Sequence, residues 1–285
     1  MTSMRDIKQR IENVRSTEQI IRAMDMVAST KLQKARRQLE GVRPIYGNLK
    51  RVVEEIGNLE EVETHPFYYE RKVKNTLYII ITSDRGLSGS YNSNILSESI
   101  KHMNNGKNEK ILVVGSKGND YLKKREKNII RKITDIADSQ VYYGTENLAK
   151  WLSDLYLSGE VDEVFVAYTR FENVLSYIPH VERLLPVATG VELEDNNRNN
   201  EKKYEPDLAT FIDQVMPLYL HMSLFRAFSE SHTSEQAARM VNMDAAGNNA
   251  SDLIKDLTSM YNRKRQAAIT QELSEIVGSA NFLSK

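Results

Sequence analysis

Residues 28–56, ASTKLQKARRQLEGVRPIYGNLKRVVEEI, place apolar side chains at Ala28, Leu32, Ala35, Leu39, Val42, Tyr46, Leu49, Val53 and Ile56. The steps alternate between four and three, the heptad spacing that keeps one seam turned toward a partner helix. Toward the N-terminus the seam continues through Ile7, Ile11, Val14, Ile21 and Met24, interrupted at Thr17 and Glu18. Ser3 with Asp6 three residues on is an N-cap signature, so residues 1–57 read as one helix, bent slightly at Pro44.

The partner lies at the other end of the chain. Leu208, Phe211, Val215, Leu218, Met222 and Phe225 step by three and four, and Ile269, Leu273, Ile276 and Ala280 carry an apolar face onward. Between them Ser229, His232 and Gln236 soften the seam, and Pro217 and Gly247 predict kinks. Residues 207–285 thus read as a second helix, roughly 115 Å long against roughly 80 Å for the first. Paired antiparallel, the longer helix overhangs by roughly 30 Å. Its apolar face then has no partner within the chain, which implies a sleeve of other subunits.

The middle of the chain has a different period. A linker, 58–75, with His65-Pro66, breaks the first helix. Short apolar runs follow at 76–83 (TLYIIITS), 110–115 (KILVVG) and 164–169 (VFVAYT), with an edge strand at 177–187 marked by two prolines. Helical patterns at 91–105, 117–126 and 145–158 alternate with them, so 76–190 reads as a small α/β domain with a mostly parallel sheet. Residues 191–206, mostly the polar run GVELEDNNRNNEKK from Gly190 to Lys203, read as a mobile loop.

Composition narrows the function. Hydrophobic residues are 40% and charged residues 27%, with a mean hydropathy of −0.50, nearer to long exposed helices than to a compact enzyme. There is no cysteine, which removes disulfides, thiol catalysis and cysteine-bound metal. The five histidines are scattered without a close pair, so neither metal nor cofactor is expected. Basic and acidic residues balance at 39 each, but 1–51 holds twelve basic residues against five acidic, a basic rod suited to an acidic protein partner or to phosphate. No apolar run of about 18 residues and no signal-like N-terminus is present, so a cytoplasmic chain is expected, with no direct membrane insertion.

Five groups of residues invite a sharper reading. Asp84-Arg85-Gly86-Leu87-Ser88-Gly89 sits between a strand and a helix, the place of a phosphate-binding loop, but lacks GxGxxG spacing and a following GK[ST]. Glycines required by a tight turn are the plainer account. Lys31, Lys34, Arg36 and Arg37 form a basic run without interleaved aromatics, a solvated helix face rather than a nucleic-acid footprint. Methionines such as Met24, Met26, Met240 and Met243 suit an irregular seam. Arg265 and Gln266 precede Ile269 and Thr270 by one turn, and Glu205 stands in an exposed Tyr204-Glu205-Pro206-Asp207 turn.

Three stretches in the right order carry a family resemblance: IKQRIENVRSTEQIIRAMDMVASTKLQKAR near the start, SDRGLSG at 83–89, and SEQAARMVNMDAA (234–246) with YNRKRQAAITQELSEIVGSA (261–280) near the end. Together they resemble the gamma subunit of bacterial F-type ATP synthases across the whole chain. The resemblance implies a left-handed antiparallel coiled coil inside a ring of three α and three β subunits, with a Rossmann-like foot bound to the epsilon subunit and the c-ring. It implies a non-catalytic rotor shaft that couples ion-driven rotation to ATP synthesis or hydrolysis, with catalysis in the β subunits, peripheral on the cytoplasmic face of the bacterial cell membrane. By the same resemblance Met24, Lys31, Lys34, Arg85, Arg239, Arg265, Gln266 and Thr270 contact β, and Tyr204 and Glu205 contact the c-ring or epsilon. Two departures, Ser88 where the family often has cysteine and Gly247-Asn248-Asn249 in place of Asn-Gly-Gly, touch no chemical role. The rival readings are a small nucleotide-binding α/β protein with coiled-coil arms and a non-rotary coiled-coil scaffold.

Overall fold

The computed structural model describes residues 3–62, 64–103, 108–137, 140–189, 204–205 and 207–283. Helix α1 (Met4–Gly57) is followed by a 3-10 turn (Glu60–Val62), β1 (Asn75–Ile81), α2 (Tyr91–Met103), β2 (Asn108–Val114), α3 (Ser116–Lys123), β3 (Ile129–Ile133), α4 (Val141–Leu157), β4 (Glu163–Phe171), β5 (Tyr177–Leu185) and α5 (Leu208–Leu283). The loop expected at 191–206 lies outside the described residues apart from Tyr204 and Glu205. The chain divides into two units, Met1–Ser29 with Met240–Lys285, and Thr30–Arg239.

In the first unit the start of α1 and the end of α5 run antiparallel. Ser3 and Asp6 close the N-terminal cap reciprocally: the Ser3 N–H donates to Asp6 Oδ2 at 2.9 Å and the Asp6 N–H to Ser3 Oγ at 3.1 Å. Those bonds hold the Asp6 carboxyl below its ordinary pKa. Ile7 and Ile11 bury against Leu257, flanked by Val14, Ile254 and Tyr261. Helix α5 continues through Gly247. A Cβ there would lie 3.2 Å from Arg22 Cζ, so the glycine admits the guanidinium that reaches Asn248 (3.4 Å) and Asp244 (3.9 Å). Ile269, Leu273, Ile276 and Val277 are exposed, as the overhang argument requires.

In the second unit a five-stranded sheet has the order β3-β2-β1-β4-β5, the first four strands parallel and β5 antiparallel at the edge. β1 is central and alternates strictly. Leu77, Ile79 and Ile81 face α4 and the two long helices, while Tyr78 and Ile80 face α2 and α3 through Ile95, Leu96, Met103 and Leu122. Of the seam positions from Leu32 to Ile56, all but the half-buried Leu49 are buried. The linker is no slack tether: Val62, Phe67 and Tyr68 are core residues, and the Tyr68 hydroxyl donates to Val53 O at 3.0 Å.

Three sequence expectations are corrected here. β3 went unread, because IIRKI is five residues long and interleaves charges with its isoleucines. Leu218 is exposed, since the buried stripe of α5 runs instead through Ile212, Met216, Tyr219, Leu220, Leu224 and Phe228. Ser229 and Gln236 do not loosen the packing. They belong to a run from His221 to Arg239 in which α5 is buried almost all round, polar side chains included.

Candidate functional site

The loop after β1 is fastened at every turn. Asp84 caps α3: Oδ1 accepts from the Ser116 N–H (2.9 Å) and hydroxyl (3.1 Å), and Oδ2 from the Asp135 N–H (3.0 Å). The next two amides of α3 are also taken, Lys117 N–H by Ser83 O (3.1 Å) and Gly118 N–H by Thr82 Oγ1 (3.0 Å). A helix N-terminus binds an anion through such amides. Here a carboxylate of the chain itself fills the place, so the loop is built as a joint and not as a phosphate cradle. The adjoining cavity, lined by Ser83, Asp84, Tyr91, Phe228 and His232 among others, has a volume of about 100 Å³, well below the several hundred Å³ typical of a nucleotide-sized ligand. Asn92 clamps Ser83 by three short contacts of 2.8–3.1 Å. What remains outward is the tip, Arg85 and Leu87, with Leu87 in the left-handed region at φ 67°.

The long helices grip the sheet through two ion pairs, each with at least one buried member. Glu230 on α5, only 2% exposed, receives both arms of Arg43 from α1, Nε to Oε1 and Nη2 to Oε2, each at 2.8 Å. Its Oε2 also accepts the Phe171 N–H at 2.8 Å, and Arg43 donates to Phe171 O at 2.5 Å. These bonds hold the Arg43 guanidinium above its ordinary pKa, against the cost of burial. A turn away, Arg226 donates to Glu182 (2.5 Å) and to the Tyr168 hydroxyl (2.6 Å) and lies 4.2 Å above the Tyr46 ring. Burial opposes the Glu182 charge, yet Arg226, Lys50 and the Tyr46 hydroxyl outweigh it and lower the carboxyl pKa. Burial pushes Tyr168 up to about 12.

The model of the family described as ATP synthase matches residues 3–283. Among curated relatives, the ATP synthase gamma chain of Moorella thermoacetica is 40% identical over 99% of this chain and 100% of its own length. That of Desulforamulus reducens is 39% identical over the same shares. The chain belongs to the ATP synthase gamma family. Among solved structures, the central stalk and c-ring of the Tetrahymena thermophila mitochondrial ATP synthase superposes with a TM-score of 0.65 at 28% identity, covering 80% of this chain and 99% of the other. The Euglena gracilis mitochondrial assembly of OSCP, F1 and c-ring gives 0.68 at 20% identity over 98% and 94%, a likeness of fold alone.

As a gamma-family chain, it distributes the ten expected contact residues over both units. In the first unit Met24 is half-buried, and Arg265, Gln266 and Thr270 are exposed, with the Thr270 hydroxyl returned to Gln266 O at 2.9 Å. In the second, Lys31, Lys34 and Arg85 are exposed. Arg239 differs from them: it is buried and engaged by Glu235, by Gln236 Oε1 (3.2 Å) and by Gly86 O (3.4 Å), which ties it to the loop that carries Arg85. Tyr204 is half-buried on Phe211 with ring centroids 5.3 Å apart, and Glu205 is exposed. Sequence reasoning missed Arg43, Glu182, Arg226 and Glu230. The available signal was charge next to seam positions, as Arg43 follows Val42 and Arg226 follows Phe225.

Proposed function

We infer that this chain is the central-stalk subunit of an F-type ATP synthase, a part without catalytic chemistry of its own that couples ion-driven turning of a c-ring to nucleotide turnover in surrounding β subunits. The single observation that carries the reading, beside family membership, is the face Ile269, Leu273, Ile276 and Val277, exposed by 49–63% on α5. Isolated exposed leucines are ordinary, but a continuous helical stripe is a surface meant to be covered. A ring of three α and three β subunits supplies that cover.

In this reading Met24, Lys31, Lys34, Arg85, Arg265, Gln266 and Thr270 meet the β subunits, and Arg239 supports the Arg85 loop from behind. Exposed cations suit acidic partners that sweep past, because solvent-screened attraction of about 1 kcal/mol or less can be made and broken repeatedly. Tyr204 and Glu205 face the c-ring or the epsilon subunit. No described helix is long and apolar enough to cross a membrane, which accords with a peripheral place at the cytoplasmic face of a bacterial membrane. Residues 1–57 and 207–285 form the shaft and 76–190 the foot.

Purification of the chain with its native partners tests this. One copy per assembly with six larger subunits, and ATP-driven rotation of a bead fixed to the chain, are expected. A homodimer without co-purifying ATPase refutes it.

A further inference from the structure

Torque applied to an α/β unit reaches the packed helices only through contacts that resist sliding. Apolar burial is non-directional, so it resists separation more than shear. A forked guanidinium–carboxylate pair has fixed geometry and resists both.

β4 pairs with β1 only as far as Ala167, so the β1-facing backbone of Thr169 and Phe171 has no strand beside it among the described residues. Helix α5 takes over that edge. The Thr169 N–H donates to Ser231 Oγ at 3.0 Å, the Ser234 hydroxyl donates to Thr169 O at 3.1 Å, and the Phe171 N–H donates to Glu230. Arg43 closes the set by donating to Phe171 O while holding both Glu230 oxygens. One α1 residue and one turn of α5 thereby complete the ladder of a β-strand, joining three elements at one point. The Arg226–Glu182 pair makes a second such point on β5.

We propose that the Arg43–Glu230 pair, seated on the last residues of β4, is a torque-bearing clamp between the α/β unit and the long helices, and that both are positioning residues for energy coupling. The proposal rests on the central-stalk reading. Without the fork only the Ser231, Ser234 and Glu230 bonds of α5 hold this end of β4, so torsional stiffness falls. Arg43→Lys is intermediate, because a single ammonium cannot present a planar fork to Glu230 and also serve Phe171 O.

The test uses the assembled ATP synthase carrying Glu230→Gln or Arg43→Met. Stiffness is read from the angular fluctuations of a bead on the α/β unit, and coupling from ion pumped per ATP hydrolysed. The expected result is larger angular fluctuation than in the wild type, a severalfold loss of pumping per ATP, and hydrolysis by the detached catalytic head unchanged. If Glu230→Gln fails to assemble, Arg43→Met decides, since the Arg43 side chain is 42% exposed and its truncation leaves the Glu230–Phe171 bond in place. Unaltered stiffness and pumping in Arg43→Met overturn the clamp. A wild-type complex that hydrolyses ATP without rotating this chain overturns the central-stalk reading instead, and the clamp with it.

Discussion

Replacing Arg226 by methionine isolates the energetic weight of the second buried pair. The side chains of Arg226 and Glu182 are 9% and 18% exposed, so solvent screens the pair little. Removing one partner of such a pair costs about 3–5 kcal/mol when the other charge is abandoned. Glu182 is not wholly abandoned: Tyr46 and Tyr168 each donate to it at 3.1 Å and Lys50 stands 3.9 Å away. Methionine also refills most of the volume, so about 2–3 kcal/mol is the expected loss. With a urea slope of roughly 2 kcal/mol per molar, the unfolding midpoint falls by about 1 M. Trp151, the single tryptophan, lies on α4 against this core and under Arg131, so its fluorescence reports the transition. The pH dependence follows from the lowered Glu182 pKa. A carboxyl depressed in the folded state stabilises above its unfolded pKa and loses that contribution as pH falls through the folded value. The gap between wild type and variant should therefore stay constant at neutral pH and narrow on acidification below about 4.5. A midpoint shift under about 0.3 M, or a gap that does not narrow, refutes the assignment.

Glycine positions give a paired prediction. Gly115→Ala places a Cβ 2.4 Å from Thr82 O at φ +91° and should cost about 3 kcal/mol or more, whereas Gly144→Ala, in open space on α4, should stabilise by about 0.5–1 kcal/mol; thermal melts that rank them otherwise contradict the geometry. Asp84→Ala strips α3 of its cap, so the Ser116 and Asp135 amides should exchange faster and stability fall by about 1–2 kcal/mol; unchanged exchange at both sites rules out the capping role. The triple change Ile269→Ser, Leu273→Ser and Ile276→Ser should leave the melting temperature of the chain alone unaltered, because those side chains are exposed, and weaken its retention in the assembled complex. Destabilisation of the isolated chain itself would speak against an outward-facing stripe.

The parts of the fold legible in the sequence were those built by apolar periodicity. Ala28 to Ile56 could be read residue by residue, since every seam side chain but the half-buried Leu49 is buried. β1, β2 and β4 announce themselves by runs such as LYIII and ILVV, and Pro179 within β5 and Pro186 just after it marked an edge. What stayed hidden was burial achieved by hydrogen bonding. Ser231, Ser234 and Glu230 look like solvent-facing residues until the β1-facing edge at the end of β4 is placed beside them, and no spacing rule anticipates a helix that serves as a strand's neighbour. Gly247 was legible as a special position, but the close approach of Arg22 that it permits was not. Contact residues such as Arg85 and Arg265 rest on resemblance, and their exposure is the property the fold adds.

Helix α5 is one element under two regimes of evolutionary constraint. From His221 to Arg239 nearly every side chain is held by this chain, so a change there calls for compensation in α1, β4 or β5 of the same gene product. From Arg265 to Val277 every residue but Ala268 is exposed, and tolerance is set by whatever surrounds them. Substitutions transplanted from a distant relative should thus be accepted or rejected by different judges along a single helix: the first stretch by whether the chain folds, the second by whether foreign partners accept it.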